Sequence, residues 1–190
     1  MDRKQFLRNT FKGVMAGVIV PFLPGSLRAE TAPAPEKPST PLGRSELIAA
    51  AREIIASQQY CSLITQDQEG RAQARTVNPF SPEEDMAVWI ATRPSTRKVQ
   101  HIRHDSRVTL YYADHAKATG YVSIIGKALL VDDRAEMIKR KRGYWDSAFP
   151  GFKDLILIKV VPERMEVLNY SRGANGDPVT WGAPSVEFSK

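Results

Sequence analysis

The run RVTLYYADHAKATGYVSIIGKALLV, residues 107–131, decides how this chain folds. It contains two segments rich in β-branched and aromatic residues, Arg107 to Tyr112 and Thr119 to Val131, separated by the loop Ala113-Asp114-His115-Ala116-Lys117. Such segments bounded by polar loops read as strands. The second is long enough to bend around a barrel, and Gly126 is the expected bend, because an isolated glycine inside a strand pattern marks a kink or a close approach of backbones.

Working outward, the same signals recur on both sides. Tyr60 to Thr65 and Arg71 to Asn78 flank Gln66-Asp67-Gln68-Glu69-Gly70 as a hairpin loop closed by glycine, and Met86 to Thr92 is a third strand. Leu155 to Val161 and Arg164 to Tyr170 complete the set, with Val161-Pro162-Glu163 expected as a tight turn. Helical spacing places Leu47, Ile48, Ala51, Ile54 and Ile55 on one face behind Ser45 as cap. Val99 to His104 fits a short helix, and Asp133 to Trp145 fits a charged one whose Lys139, Arg140, Lys141 and Arg142 form a solvated face. About seven strands with two or three helices and no repeated βαβ rhythm predict an α+β fold, a small antiparallel barrel with flanking helices.

Composition bounds the rest. A chain of 190 residues, 42% hydrophobic and 25% charged, fits one globular unit with an additional terminal segment. The formal charge of +6 invites a nucleic-acid reading, but residues 1–29 carry Arg3, Lys4, Arg8, Lys12 and Arg28 against Asp2 alone. Without them 22 basic side chains face 20 acidic ones, so the basicity belongs to the N-terminus and nucleic acid is not an expected partner.

That N-terminus has the parts of an export signal: a basic stretch from Met1 to Lys12, an apolar run from Gly13 to Leu23, and small residues near Ala29 for cleavage. Eleven residues interrupted by Pro21 cannot cross a hydrocarbon core of ~30 Å as a helix, so a stable membrane anchor is not expected. Arg3-Lys4-Gln5-Phe6-Leu7-Arg8 resembles the twin-arginine export motif with Lys4 in the second arginine's place, which implies a periplasmic protein. Residues 30–43, with prolines at 33, 35, 38 and 41, read as an extended linker. The folded domain is expected over residues 44–170 and a polar tail over 171–190.

Two pieces of sequence suggest a phosphate clamp. Arg75-Thr76-Val77 lies in a strand, and Thr92 ends another that passes through Pro94 into Ser95-Thr96-Arg97-Lys98 at the start of a helix. Hydroxyls, an arginine fork and a lysine charge beside free helical N–H groups suit a phosphate monoester, although such a run also serves as a solvated cap. Other reactive residues are sparse. Cys61 stands alone in an apolar strand as a buried thiol. His101 and His104 read as a solvated pair without a further ligand of suitable spacing, so no metal site is expected. Tyr144 and Trp145 read as packing residues, and no hydrolytic constellation stands out.

Taken in order, Arg75-x-Val77, Thr92, Thr96-Arg97-Lys98, the run from Asp105 to Tyr112 and the run from Val122 to Ala128 resemble the pyridoxamine 5'-phosphate oxidase-related FMN-binding split-barrel family. The resemblance covers roughly Ser45 to Tyr170. It implies a split β-barrel, FMN as cofactor, a homodimer with FMN between the subunits, and FMN-phosphate contacts at Arg75, Val77, Thr92, Arg97 and Lys98, with Thr76, Ser95 and Thr96 beside them. Three departures stand out. Phe80 replaces a lysine of the oxidase, Tyr121 replaces a flavin-contacting glutamine, and the oxidase's C-terminal substrate segment is absent. The implied activity is an FMN-dependent oxidoreductase of unstated substrate; the alternative is a flavin- or haem-binding carrier or stress protein without turnover.

Overall fold

The computed structural model describes residues 41–188. The expected export signal, and the linker up to residue 40, lie outside the described residues.

Helix α1 (Arg44–Ala56) is followed by strands β1 (Cys61–Gln66), β2 (Ala72–Val77) and β3 (Val88–Thr92), helix α2 (Arg97–His104), and strands β4 (Arg107–Ala113) and β5 (Gly120–Val131). Two short helices, α3 (Arg134–Lys139) and α4 (Trp145–Ala148), precede β6 (Ile156–Asn169) and β7 (Ser185–Glu187). The sheet runs β2-β1-β4-β5-β6-β3 with every pairing antiparallel, and β7 lies against β6. Just beyond β2, Pro79 bridges Ile90 of β3, and the Phe80 amide donates to the Trp89 carbonyl at 2.8 Å. That bridge brings the two ends of the sheet together, as a curled barrel requires.

The main core fills the inside of the curl. Leu63, Leu110, Val122, Ile124, Ile158, Val160, Met165 and Val167 are fully buried there, and α1 adds Leu47, Ala50, Ala51, Ile54 and Ile55. The α1 residues recur at three- and four-residue intervals, so a single face of the helix meets the sheet. Asn169 ties the two together by donating from Nδ2 to the Ala50 carbonyl at 3.0 Å.

The expected turn at Val161-Pro162-Glu163 does not form. Ile156 to Asn169 is one strand containing a β-bulge, because its partner β5 is continuous and pairs along its whole length. The register shifts between Ile125 and Gly126, which face Arg164 and Pro162 respectively, leaving Glu163 as the extra residue. One inserted residue exchanges the faces: Ile158 and Val160 are buried before the bulge, and Met165 and Val167 after it. The interrupted alternation therefore imitates two strands. Pro162 is tolerated because the ladder is already broken there.

Gly126 is the kink that residues 107–131 predict. A Cβ built on it would lie 2.0 Å from the Val161 carbonyl oxygen, within main chain rather than a movable side chain. Gly126→Ala is expected to destabilise the domain by ~1–3 kcal/mol, the usual cost of overpacking. A urea midpoint unchanged from the parent's would show that the bulge relaxes freely.

The Asp133 to Trp145 helix is also corrected, being divided into α3 and α4 by residues 140–144. Arg140 and Arg142 leave the expected solvated face. The Arg140 guanidinium lies 3.7 Å from the centre of the Trp89 ring and donates to Glu83 at 2.6 Å, while that of Arg142 covers Phe80 at 3.9 Å and donates to the Pro79 carbonyl at 2.7 Å. Both cap a second apolar cluster outside the barrel, built on Trp89, Met137, Trp145, Leu155 and Leu157. Desolvated guanidiniums favour such aromatic faces. Residues 171–188, within the expected tail, are likewise part of the fold, since β7 pairs with β6 and Val186 is buried in the main core.

Candidate functional site

Pairing of β1 with β2 sets the site. Leu63 faces Arg75 and Thr65 faces Gln73, so Arg75 shares a sheet face with Leu63 and Thr65. Its Nη1 donates to the Leu63 carbonyl at 3.1 Å and to Thr65 Oγ1 at 2.7 Å. Thr76, next in sequence, projects from the opposite, exposed face of β2 and does not join the group. Val77 buries its side chain in the core, which leaves its backbone as the part a ligand could meet.

The second half comes from the turn after β3. Thr92 is buried at the strand end, Thr96 is the N-cap position of α2, and the first residues of the helix are Arg97 and Lys98. Lys98 folds back so that Nζ donates to Thr92 Oγ1 at 3.1 Å, and Thr96 Oγ1 donates to the Arg93 carbonyl at 2.9 Å. Ser95 lies exposed in the turn.

Arg75, Arg97 and Lys98 thus converge without a counter-ion: among the described residues no carboxylate forms an ion pair with any of the three. Partial burial lowers the pKa of Arg75, with the Arg97 charge adding to the effect. Burial followed by the Arg75 charge lowers that of Lys98. Cations that destabilise one another in a half-buried site leave a positive potential that an anion would relieve. Among the described residues no group of three or more His, Cys, Asp or Glu is placed to hold a metal.

Two participants carry no signal of their own in the sequence. Thr65 reads as one more strand residue, and His101 as half of a solvated pair with His104. Folding separates that pair: His104 is exposed, whereas His101 Nδ1 lies 2.9 Å from Thr65 Oγ1. Phe80, which stands where the oxidase has a lysine, packs edge-on against Trp145 in the second cluster. Tyr121 packs against Tyr111, with ring centres 5.4 Å apart. Cys61 is buried, and burial pushes its thiol up to about 12, so it is no nucleophile at neutral pH.

A family model described as pyridoxamine 5'-phosphate oxidase like matches residues 46–175. The chain belongs to this family. Solved structures agree in fold. A general stress protein 26-related protein of the pyridoxinephosphate oxidase family from Clostridium acetobutylicum superposes with a TM-score of 0.61 at 15% identity, covering 77% of this chain and 96% of that one. General stress protein 26 from Bacillus anthracis gives 0.57 at 19% identity, over 65% and 94% of the two chains. A heme binding protein from Mycobacterium smegmatis gives 0.53 at 16% identity, over 68% of this chain and 55% of that one. No curated protein matches the sequence significantly. The pyridoxamine 5'-phosphate oxidase-like barrel of this chain is therefore the curled antiparallel sheet with flanking helices described above.

Proposed function

We propose that this member of the pyridoxamine 5'-phosphate oxidase-like family is an exported FMN-binding flavoprotein that acts as an oxidoreductase. The observation that carries the reading is the convergence of Arg75, Arg97 and Lys98 without a carboxylate partner among the described residues, backed by the buried Thr92 hydroxyl. A phosphate monoester has the charge and the acceptor oxygens to satisfy all three cations, and the first turn of α2 adds unpaired backbone N–H groups. Thr92 orients the Lys98 ammonium, and Leu63 and Thr65 hold the Arg75 guanidinium, so the clamp is arranged before the ligand arrives. Bound FMN would supply hydride chemistry, for which the protein contributes orientation and electrostatics.

We further propose a homodimer. Leu129 and Val161 are diagonal neighbours on the outer face of the β5–β6 pair, 52% and 36% exposed, and a partner covering that face would remove them from water.

Native mass spectrometry of the protein recovered from the periplasm tests these proposals together. The expected result is a dimer whose chains lack the N-terminal signal and which releases two FMN molecules on denaturation. Release of haem would overturn the flavin reading in favour of a haem carrier. A monomer holding FMN would overturn the dimer alone.

A further inference from the structure

The hydrogen-bond chain behind Arg75 has a direction. Arg75 can only donate, so Thr65 Oγ1 accepts from it at 2.7 Å. The hydroxyl retains one proton to give, and the Nδ1 of His101 at 2.9 Å is the acceptor in reach. A neutral His101 with its ring proton on Nε2 gives that hydroxyl proton its acceptor. Thr65 is 1% exposed, so bulk water does not compete for the bond.

His101 also borders a polar groove of ≈ 330 Å³ between the β1–β2 turn and α2, whose lining includes Asp67, Glu69, Arg71, Gln73, Arg97 and Gln100, with Glu69 paired to Arg71. The charges acting on its ring are Arg75 from β2 and Arg97 from its own helix, opposed by Asp67 at the end of β1. Asp67 is engaged elsewhere, its carboxylate accepting from Arg71 Nε at 2.9 Å and from Gln73 Nε2 at 3.1 Å. Partial burial first, then the Arg75 charge, holds His101 below the usual imidazole range.

We propose that His101 is a positioning residue that couples phosphate binding at the clamp to uptake of a proton. The proposal rests on the FMN-phosphate reading given above. A phosphate entering beside Arg75 and Arg97 offsets the positive field that adds to burial in keeping the imidazole neutral. The ring then takes one proton from solvent onto Nδ1 and becomes the donor to Thr65 Oγ1. Thr65 Oγ1 then accepts from both Arg75 and the ring, and its own proton is freed for the anion held beside Arg75. Because the linkage is reciprocal, protonation of His101 tightens phosphate binding by the same factor by which binding favours protonation.

The sign follows from the direction of the shift. His101 titrates low in the free protein and higher in the complex, so FMN affinity rises as pH falls through the complex's value and levels off below the free protein's. The FMN phosphate has a second pKa of ≈ 6 and weakens binding over the same range as it gains its own proton. A His101→Asn variant separates the two effects, since its side chain still offers Thr65 an acceptor but does not titrate.

Calorimetry of FMN binding at pH 6.5 in buffers of different ionisation enthalpy counts the protons taken up. The parent is expected to take up more than His101→Asn, and its affinity should gain ~10-fold relative to that variant between pH 8 and pH 6, within the usual range of coupling between two sites. His104→Asn should match the parent, and riboflavin, which has no phosphate, should produce no difference between parent and His101→Asn. Equal proton uptake by parent and His101→Asn, with FMN bound by both, would overturn the coupling while leaving the clamp intact. Failure of the parent to bind FMN at all would overturn the clamp and the coupling together.

Discussion

Replacing Arg97 and Lys98 together with alanine is expected to weaken FMN binding by at least ~100-fold, because two charge-assisted contacts of ~1.5–3 kcal/mol each disappear. The free protein should tolerate the change. Neither side chain forms an ion pair among the described residues, and each is only partly buried or exposed, so their loss relieves mutual repulsion with Arg75. Lys98 also gives up its bond to Thr92, whose hydroxyl still has the Thr96 hydroxyl 3.4 Å away. Riboflavin carries the ring without the phosphate, so parent and double variant should bind it about equally. Salt provides a second signature, since added ions screen an exposed charge contact and should weaken FMN binding in the parent more than in the variant. Fluorescence titration measures all four affinities. An FMN affinity unchanged in the double variant would remove the clamp, and a parallel fall for riboflavin would show that the substitution had damaged the pocket as a whole.

The second large effect concerns the cluster outside the barrel. Trp145 is 1% exposed and meets Phe80, Phe149 and Phe152 at near-perpendicular ring angles, with centres 6.2, 6.0 and 6.3 Å apart. Such edge-on contacts add to the burial of a large ring. Trp145→Ala is expected to cost ~3–5 kcal/mol, a substantial part of the stability of a domain of this size. Among the described residues the indole Nε1 has no hydrogen-bond partner, so the loss is one of apolar packing, and Trp145→Phe should recover much of it. Urea unfolding followed by far-ultraviolet circular dichroism measures both variants. A loss below ~1 kcal/mol for the alanine variant would show that α3 and α4 cover the sheet without stabilising it.

The same cluster explains a limit of reading the chain as a string. In sequence Phe80 is only a departure from the lysine that the resemblance leads one to expect, with no sign of what it packs against. Folding commits it to Trp145 and Arg142 instead. A break at residues 140–144 turns one expected helix into two and buries Arg140 against Trp89. Local spacing on α3 cannot reveal this, because an arginine over a tryptophan on a distant strand is a long-range contact.

Alternation of side chains and the glycine at position 126 were enough to indicate an antiparallel α+β barrel, since each strand must place one face inward and period two records that requirement along the chain. The order of Arg75, Thr92 and the Arg97-Lys98 pair was enough to mark a candidate clamp, because charged and hydroxyl groups there stand out against apolar strands. Where alternation slips by one residue, as at Pro162 and Glu163, local pattern cannot distinguish a bulge from a turn; pairing with the uninterrupted β5 selects the bulge. The partners behind the clamp lie still further from local signals. Thr65 and His101 are 36 residues apart and of ordinary type for a strand and a helix, and they meet only because α2 packs across β1. A hydrogen bond's direction depends on which donors and acceptors share one buried space, and that space exists only once the barrel has closed.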